Sequence, residues 1–142
     1  MRISTRSRHA ITSMMELALQ DRPMTLSMLS DNNAISLSYL EQIFASLRLK
    51  GLVKGQRGPG GGYVLGKQAT EISIAEIISA ADEWVEYSFS KPKTVFPSSQ
   101  VLNAKTLWND LSHQIYNFLD TTSLADTVVS DSAYPDLLDE AA

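Results

Sequence analysis

Residues 35–63 read ISLSYLEQIFASLRLKGLVKGQRGPGGGY, a stretch that combines helical periodicity with a glycine-rich turn. Its apolar residues recur every three or four positions, which predicts a helix with one buried stripe, formed by Leu37, Leu40, Ile43, Phe44 and Leu47. The run from Ser38 to Glu41 matches the Ser/Thr-x-x-Glu capping box, so the helix is expected to begin near Ser36 or Ser38. Polar residues of its first turns should then face outward.

A β-hairpin is predicted directly after this helix. Residues 52–57 and 63–65 are typical of short strands, and the run GPGGG at positions 58–62 separates them. Glycine accepts positive φ angles and lets the backbone approach another molecule closely. This segment is therefore interpreted as a β-wing.

A short helix and a turn are predicted before residue 35. Thr25 can cap a helix with Leu26 and Leu29 inward, and the run DNN at positions 31–33 is typical of a turn. A short helix, a tight turn and a second helix with a polar outer face form the helix-turn-helix pattern.

Three further helices are predicted in the flanking sequence. Residues 5–20 carry one apolar stripe, formed by Ile11, Met14, Met15, Ala18 and Leu19. A capping box at Ser73 and Glu76 opens a helix that runs to about Asp82. The longest helix is expected over about residues 100–120, and one more short turn after Ser123.

The long helix carries an apolar seam with the spacing of a coiled coil. Its residues follow one another at intervals of four, three, four and three: Ala104, Trp108, Leu111, Ile115 and Phe118. Such a seam suits packing along a partner helix, and we expect that helix to come from a second copy of the chain. The alternative is packing on the chain's own N-terminal helix.

Composition limits the class of protein. The chain has 142 residues, 44% of them hydrophobic, and no cysteine. No apolar stretch is long enough for a membrane span or typical of an export signal, so a single cytoplasmic domain without disulfides or thiolate metal sites is expected.

The net charge of −4 hides a segregation of charge between the two halves of the chain. Residues 1–70 carry nine basic and four acidic residues, whereas residues 71–142 carry three basic and twelve acidic residues. Such asymmetry suggests a polyanion partner for the basic half, although chance clustering would give the same count.

The outer face of the predicted second helix suits base reading in duplex DNA. Gln42 can pair with adenine, Glu41 can accept from the cytosine amino group, and Ser38 and Tyr39 can reach a base or a phosphate. Arg57 in the wing is placed to enter a minor groove, with Gly60 beside it in the turn. Generic phosphate-contact candidates are Arg2, Arg6, Arg8, Lys50 and Lys54. Glu41 could instead serve only as a helix cap.

The sequence gives little indication of nucleotide binding, metal binding or catalysis. The run GGYVLGK at positions 61–67 resembles a phosphate-binding loop, but Gln68 stands where that motif needs Ser or Thr. His9 and His113 are isolated, and no nucleophile–base pair or metal set appears, so an enzyme is not expected. The aromatic residues Trp84, Tyr87 and Phe89 are interpreted as core. The alternative is a small-molecule pocket formed by the aromatic residues near Trp84, Tyr87 and Phe96.

The runs SLSYLEQ at 36–42 and RGPGGGY at 57–63 closely resemble the IscR-type iron–sulfur cluster regulators, and the resemblance extends over about residues 1–125. It implies a homodimeric transcription regulator, mainly α with a small β-wing, that binds double-stranded DNA. Together with the predicted elements, it divides the chain into a winged helix-turn-helix domain over residues 1–83, an irregular loop at the cluster position over 84–99, a dimerisation helix and turn over 100–125, and an acidic tail, recognised by its composition, over 126–142. The family's base-reading positions fall on Ser38, Tyr39, Glu41, Gln42 and Arg57.

This chain departs from the family at the cluster. Cluster-binding members use three cysteines and one histidine, and the corresponding positions here are Ser90, Phe96, Leu102 and Lys105. None can ligate iron as a thiolate or imidazole does, so no [2Fe–2S] cluster is expected. Regulation through an unidentified effector or protein partner is the alternative to cluster sensing. Repression and activation both stay open, as does a winged-helix module that binds a protein instead of DNA.

Overall fold

The computed structural model describes residues 3–82 and 99–128, with only the backbone described for residues 99–105. Its elements in chain order are α1 (Thr5–Leu19), α2 (Leu26–Asn33), α3 (Leu37–Leu49), β1 (Val53–Gln56), β2 (Gly62–Leu65), a 3-10 turn (Ala69–Glu71), α4 (Ile74–Ala81), α5 (Ser99–Thr121) and α6 (Leu124–Thr127). β1 and β2 pair antiparallel, with Val53 opposite Leu65. The prediction of a mainly helical fold with a small β-wing is confirmed.

The hydrophobic core lies under α3. Leu40, Ile43, Phe44 and Leu47 of this helix are fully buried, as their periodicity predicted. The ring of Phe44 meets the edge of the Tyr63 ring in β2, with centroids 5.0 Å apart. This contact fixes the wing to the same core that holds α3, so the two elements have a defined relative position.

The buried stripe of α1 is rotated from its predicted position. Met14 is buried, but Leu19 is exposed and the other predicted residues are only partly covered. The buried face of α1 includes several small side chains and consists of Ser7, Ala10, Ser13, Met14 and Leu17. Small side chains let α1 pack closely on α4, and hydrophobicity alone does not identify them as core.

The turn between α2 and α3 differs from its prediction. Asp31, Asn32 and Asn33 are helical, because the carboxylate of Glu16 accepts hydrogen bonds from the amides of Asn32 (2.8 Å) and Asn33 (2.7 Å). The chain turns one residue later, at Ala34, which adopts the left-handed conformation with φ 53° and ψ 42°.

The start of α3 also corrects two predictions. Ser36 is the N-cap, and its hydroxyl accepts from the Tyr39 amide, so the predicted capping box of Ser38 and Glu41 is wrong. Leu37 was predicted to be buried but is 44% exposed, because it is the first residue of the helix and lies at the edge of the core.

The C-terminal part of the described chain is joined to α4. Leu124 is fully buried, and backbone hydrogen bonds connect the Ile74 amide to the Thr122 carbonyl (2.9 Å) and the Leu124 amide to the Ile72 carbonyl (2.7 Å). The predicted capping box at Ser73 is present, and Ser123, predicted to start a short turn, forms a second capping box with Asp126. They start α4 and α6 side by side.

Most of the described part of α5 is left uncovered. Trp108, Leu111 and Phe118 are 61%, 43% and 67% exposed, and Ile115 is half-buried. Within the part of the chain that the structure describes, α1 therefore does not bury Trp108, Leu111 or Phe118 of the predicted seam. The side chain of Ala104, residues 84–98 of the predicted loop and residues 129–142 of the predicted tail lie outside the described residues.

Candidate nucleic-acid interface

The outer face of α3 presents a free set of polar side chains. Ser38, Glu41 and Gln42 are all exposed. Because Ser36 supplies the cap, Glu41 makes no hydrogen bond or ion pair with any residue that the structure describes. The carboxylate and the amide are therefore both available to an external partner.

Tyr39 is less free than its neighbours. It is half-buried, and its ring meets the His9 ring of α1 edge-on, with centroids 5.8 Å apart and planes at 88°. This edge-to-face contact limits the motion of the tyrosine ring at the start of α3.

Arg6 of α1 also contacts α3. Its Nε donates to the Ala81 carbonyl at 2.7 Å, and its Nη2 donates to the Gln42 carbonyl at 3.4 Å and to the Ser46 hydroxyl at 3.2 Å. Sequence reasoning treated Arg6 as a generic phosphate contact, because nothing local to position 6 indicates partners at positions 42, 46 and 81.

The wing turn depends on glycine at several positions. Gly58 and Gly60 have φ angles of 97° and 72°, which side-chain-bearing residues rarely adopt. A Cβ at Gly61 would collide with the carbonyl oxygens of Gln56 and Gly58. Arg57 stands exposed at the start of this turn, as the sequence predicted.

The second strand of the wing is fixed to the loop before α2. The Met24 amide donates to the Tyr63 carbonyl at 3.0 Å, and the Tyr63 amide donates to the Met24 carbonyl at 2.7 Å. These paired bonds extend the two-stranded sheet by one isolated bridge. Because Tyr63 pairs with Gly55 near the end of the ladder, the hairpin is held close to its glycine turn.

A basic cleft of about 640 Å³ separates the C-terminal end of α3 from the wing. Arg48, Lys54 and Arg57 line it, together with Gly51 and Tyr63. Arg48 was absent from the sequence-based set of DNA contacts. No local pattern indicated Arg48, because it meets the wing only where β1 and β2 fold back toward the end of α3.

The remaining predicted contacts are more scattered. Arg8 is exposed on α1 near Arg6, and Lys50 is the exposed C-cap residue of α3. Arg2 lies outside the described residues. The described residues of the candidate interface therefore come from three elements, which are α3, the wing and the N-terminal part of α1.

A helix-turn-helix with a polar second helix beside a basic β-wing defines a winged-helix, DNA-binding transcriptional regulator. The family model described as Rrf2, iron-dependent transcriptional regulator, matches residues 3–130. The chain belongs to this family, and the resemblance to IscR-type regulators is confirmed.

Individual relatives agree with this assignment. The HTH-type transcriptional regulator IscR of Serratia proteamaculans is 44% identical over 130 residues, which cover 90% of this chain and 79% of the relative. CymR, the global cysteine regulator of B. subtilis, has a structure that matches with a TM-score of 0.77 at 32% identity, covering 90% of this chain and 96% of CymR. The T. potens IscR structure matches with a TM-score of 0.72 at 28% identity, covering all of this chain and 89% of the other.

The residues of this chain do not fit the iron–sulfur cluster of IscR-type regulators. The full sequence has no cysteine, and hydroxyl, phenyl, alkyl and ammonium groups at the four corresponding positions cannot replace thiolates and an imidazole. Ser90 and Phe96 lie outside the described residues, and so do the side chains of Leu102 and Lys105. Within residues 3–82 and 106–128, no three His, Cys, Asp or Glu side chains come together in a way that could hold a metal ion.

Among the helices that the structure describes, none combines the length with the apolar character that a membrane span requires.

Proposed function

We propose that the protein acts as a homodimer that reads a roughly palindromic DNA site through α3 and the wing of each subunit. The observation that carries this proposal is the free polar face of α3, where Ser38, Glu41 and Gln42 are exposed and Glu41 is not used as a cap. A helix that presents such groups beside its N-terminus has the shape and the chemistry to enter a major groove.

In this arrangement, Gln42 pairs with adenine and Glu41 accepts from the cytosine amino group. Phosphates repel a carboxylate, so Glu41 favours sites that offer it a donor and disfavours the others. Ser38 and Tyr39 contact a base edge or the neighbouring phosphate.

The wing and its cleft hold the DNA backbone. Arg48 and Lys54 line the cleft and neutralise phosphates, and Arg57 extends from the wing into the adjacent minor groove. Gly60, beside it, lets the wing backbone approach closely. Arg2, Arg8 and Lys50 add positive charge around this surface, so affinity should fall steeply with salt concentration.

The homodimer is supported by the uncovered apolar side chains of α5. Trp108, Leu111 and Phe118 would be costly to leave in water along one helix, and the same helix of a second copy offers a matching surface. The C-terminal end of α5 is joined to α4 by backbone hydrogen bonds, so pairing of two α5 helices would set the spacing between two copies of α3.

We further propose that the protein works without a cluster and by binding rather than catalysis, with an effector or partner protein supplying the signal. Because its proposed partner is chromosomal DNA, we expect it to act in the cytoplasm. An absorbance spectrum of anaerobically purified protein tests the first point. No visible iron–sulfur band is expected, and such a band would overturn the proposal.

Selection of binding sites from random duplex DNA tests the central proposal. We expect an enriched motif with two half-sites related by a dyad. Absence of any enriched sequence at modest salt would contradict DNA reading and would favour the winged helix as a protein-binding module.

A further inference from the structure

We propose that Arg6 is a positioning residue for DNA reading, which fixes α3 to the C-terminal end of α4. The inference rests on the proposed reading of bases by α3. One guanidinium donates to the last residue of α4, Ala81, and to two residues of α3, Gln42 and Ser46. These residues are far apart in sequence, so Arg6 connects three separate helices.

The contact falls on a residue proposed to read bases. The Gln42 carbonyl accepts from Arg6, while Gln42 itself is exposed to solvent. Ser46, one turn later, accepts from the same Nη2 and donates its own hydroxyl proton to the Gln42 carbonyl. A change at Arg6 therefore alters the support of the turn that carries Gln42.

The contact with α4 is favourable for two physical reasons. The Ala81 carbonyl belongs to the last turn of α4, where carbonyl groups lack an intrahelical donor. The guanidinium satisfies this carbonyl and places a positive charge at the negative end of the helix dipole. Since the planar guanidinium has donors in several directions, it can hold α3 and α4 together, whereas a lysine ammonium is a point charge without that fixed geometry.

The competing role is the one that the sequence suggested, a contact from Arg6 to phosphate. Three of its five N–H donors already have protein partners, and the residue is only half exposed. Arg8 is exposed two residues later, and its guanidinium makes no hydrogen bond with any residue that the structure describes. Arg8 is therefore the control residue for a direct contact with phosphate.

The two roles predict different binding data. Affinities would be measured for the selected DNA site and for a scrambled duplex, each at several salt concentrations, with thermal unfolding as a check on folding. For Arg6→Ala and Arg6→Lys, we expect the ratio of the two affinities to fall by about tenfold, with the salt dependence on scrambled DNA unchanged. For Arg8→Ala, we expect both affinities to fall by a similar factor and the salt slope to decrease by about one.

The proposal is overturned if Arg6→Lys retains the full affinity ratio, or if Arg6→Ala weakens both duplexes equally and lowers the salt slope. Should Arg6→Ala fail to fold, Arg6→Lys and Ser46→Ala decide, because each keeps the charge of position 6 and removes part of the hydrogen-bond network. Failure of the proposed function is separately visible, because the unaltered protein would then show no preference between the two duplexes.

Discussion

The hydroxyl of Ser36 accepts a hydrogen bond from the amide of Tyr39 at 3.3 Å, and this contact caps α3. The cap residue is thus two positions earlier than the capping-box motif indicated. As a consequence, Glu41 lies in the second turn of the helix with its carboxylate in solvent. A free carboxylate beside DNA phosphates costs electrostatic free energy. A hydrogen bond to a base would offset that cost.

Glu41→Ala should relax base preference more than it weakens overall binding, because the carboxylate repels phosphates while it selects a cytosine amino group. Its effect on the free energy of unfolding should stay within about 0.5 kcal/mol, as for an ordinary surface residue. Site selection and chemical denaturation measure the two effects. Ser36→Ala is the control, since loss of the cap should destabilise the fold by about 1 kcal/mol. If Glu41→Ala destabilised the fold as much as Ser36→Ala, Glu41 would be a structural residue.

Arg57→Ala should weaken binding to the selected site by about 1–3 kcal/mol, because the wing loses its contact in the minor groove. Arg48→Ala should instead weaken binding to all duplexes to a similar extent, since it is proposed to contact phosphate. Fluorescence anisotropy with labelled duplexes gives both values. Arg22→Ala, which removes an exposed arginine outside the cleft, should have a smaller effect. An unchanged affinity of Arg57→Ala would show that the wing assignment is wrong.

Leu111→Glu should convert the protein to a monomer, because it puts a charge into the proposed α5 seam. Sedimentation at micromolar concentration measures the mass. Leu19→Glu is a matched control, as Leu19 is also exposed but lies at the end of α1. The proposed dimer is contradicted if the unaltered protein is already monomeric, or if Leu111→Glu leaves its mass unchanged.

Ala34→Gly should stabilise the fold by about 0.5–1 kcal/mol, because Ala34 has the left-handed conformation that glycine adopts without strain. The same change at Ala45, inside α3, should destabilise by about 1 kcal/mol, as glycine is unfavourable in a helix interior. Denaturant titrations compare the two variants. A destabilised Ala34→Gly would mean that the chain does not turn at Ala34 as described.

Glu76 should make stability depend on acidic pH. Its partial burial raises its pKa, but the hydrogen bond from the Ser73 amide and the ion pair with Lys67 outweigh this effect, so the pKa lies below its ordinary 4.5. The ionised form is thus favoured by the fold, and its contribution is complete above pH 4.5 and lost as the pH falls through the folded-state pKa. The stability difference between the protein and Glu76→Gln should shrink between pH 6 and about pH 3. A difference that stays constant over this range would exclude the carboxylate as its source.

The sequence predicted those parts of the fold that depend on local patterns. The periodicity of α3, the glycines of the wing and the capping box at Ser73 each reflect contacts within a few residues. The errors arose where distant residues decide the outcome. Glu16 keeps Asn32 and Asn33 helical, and packing on α4 selects the small residues of α1 as its buried face.

The same distinction holds for the site. The exposure of Glu41 and Gln42 could be predicted because helical periodicity separates the buried face from the solvent face. The interactions of Arg6 could not, since its three partners come from two other helices. Arg48 joins the cleft only because β1 and β2 fold back toward the end of α3.

The most direct measurement is the affinity for a selected DNA site in which the two half-sites are moved apart by about five base pairs, half a helical turn. Two copies of α3 at a fixed spacing cannot then reach the same face of the duplex. We predict that affinity falls to the value for scrambled DNA. An insertion of about ten base pairs, a full helical turn, should lower affinity less, because it returns both half-sites to the same face of the duplex. An affinity that is unaffected by the half-turn insertion would contradict paired reading by a dimer.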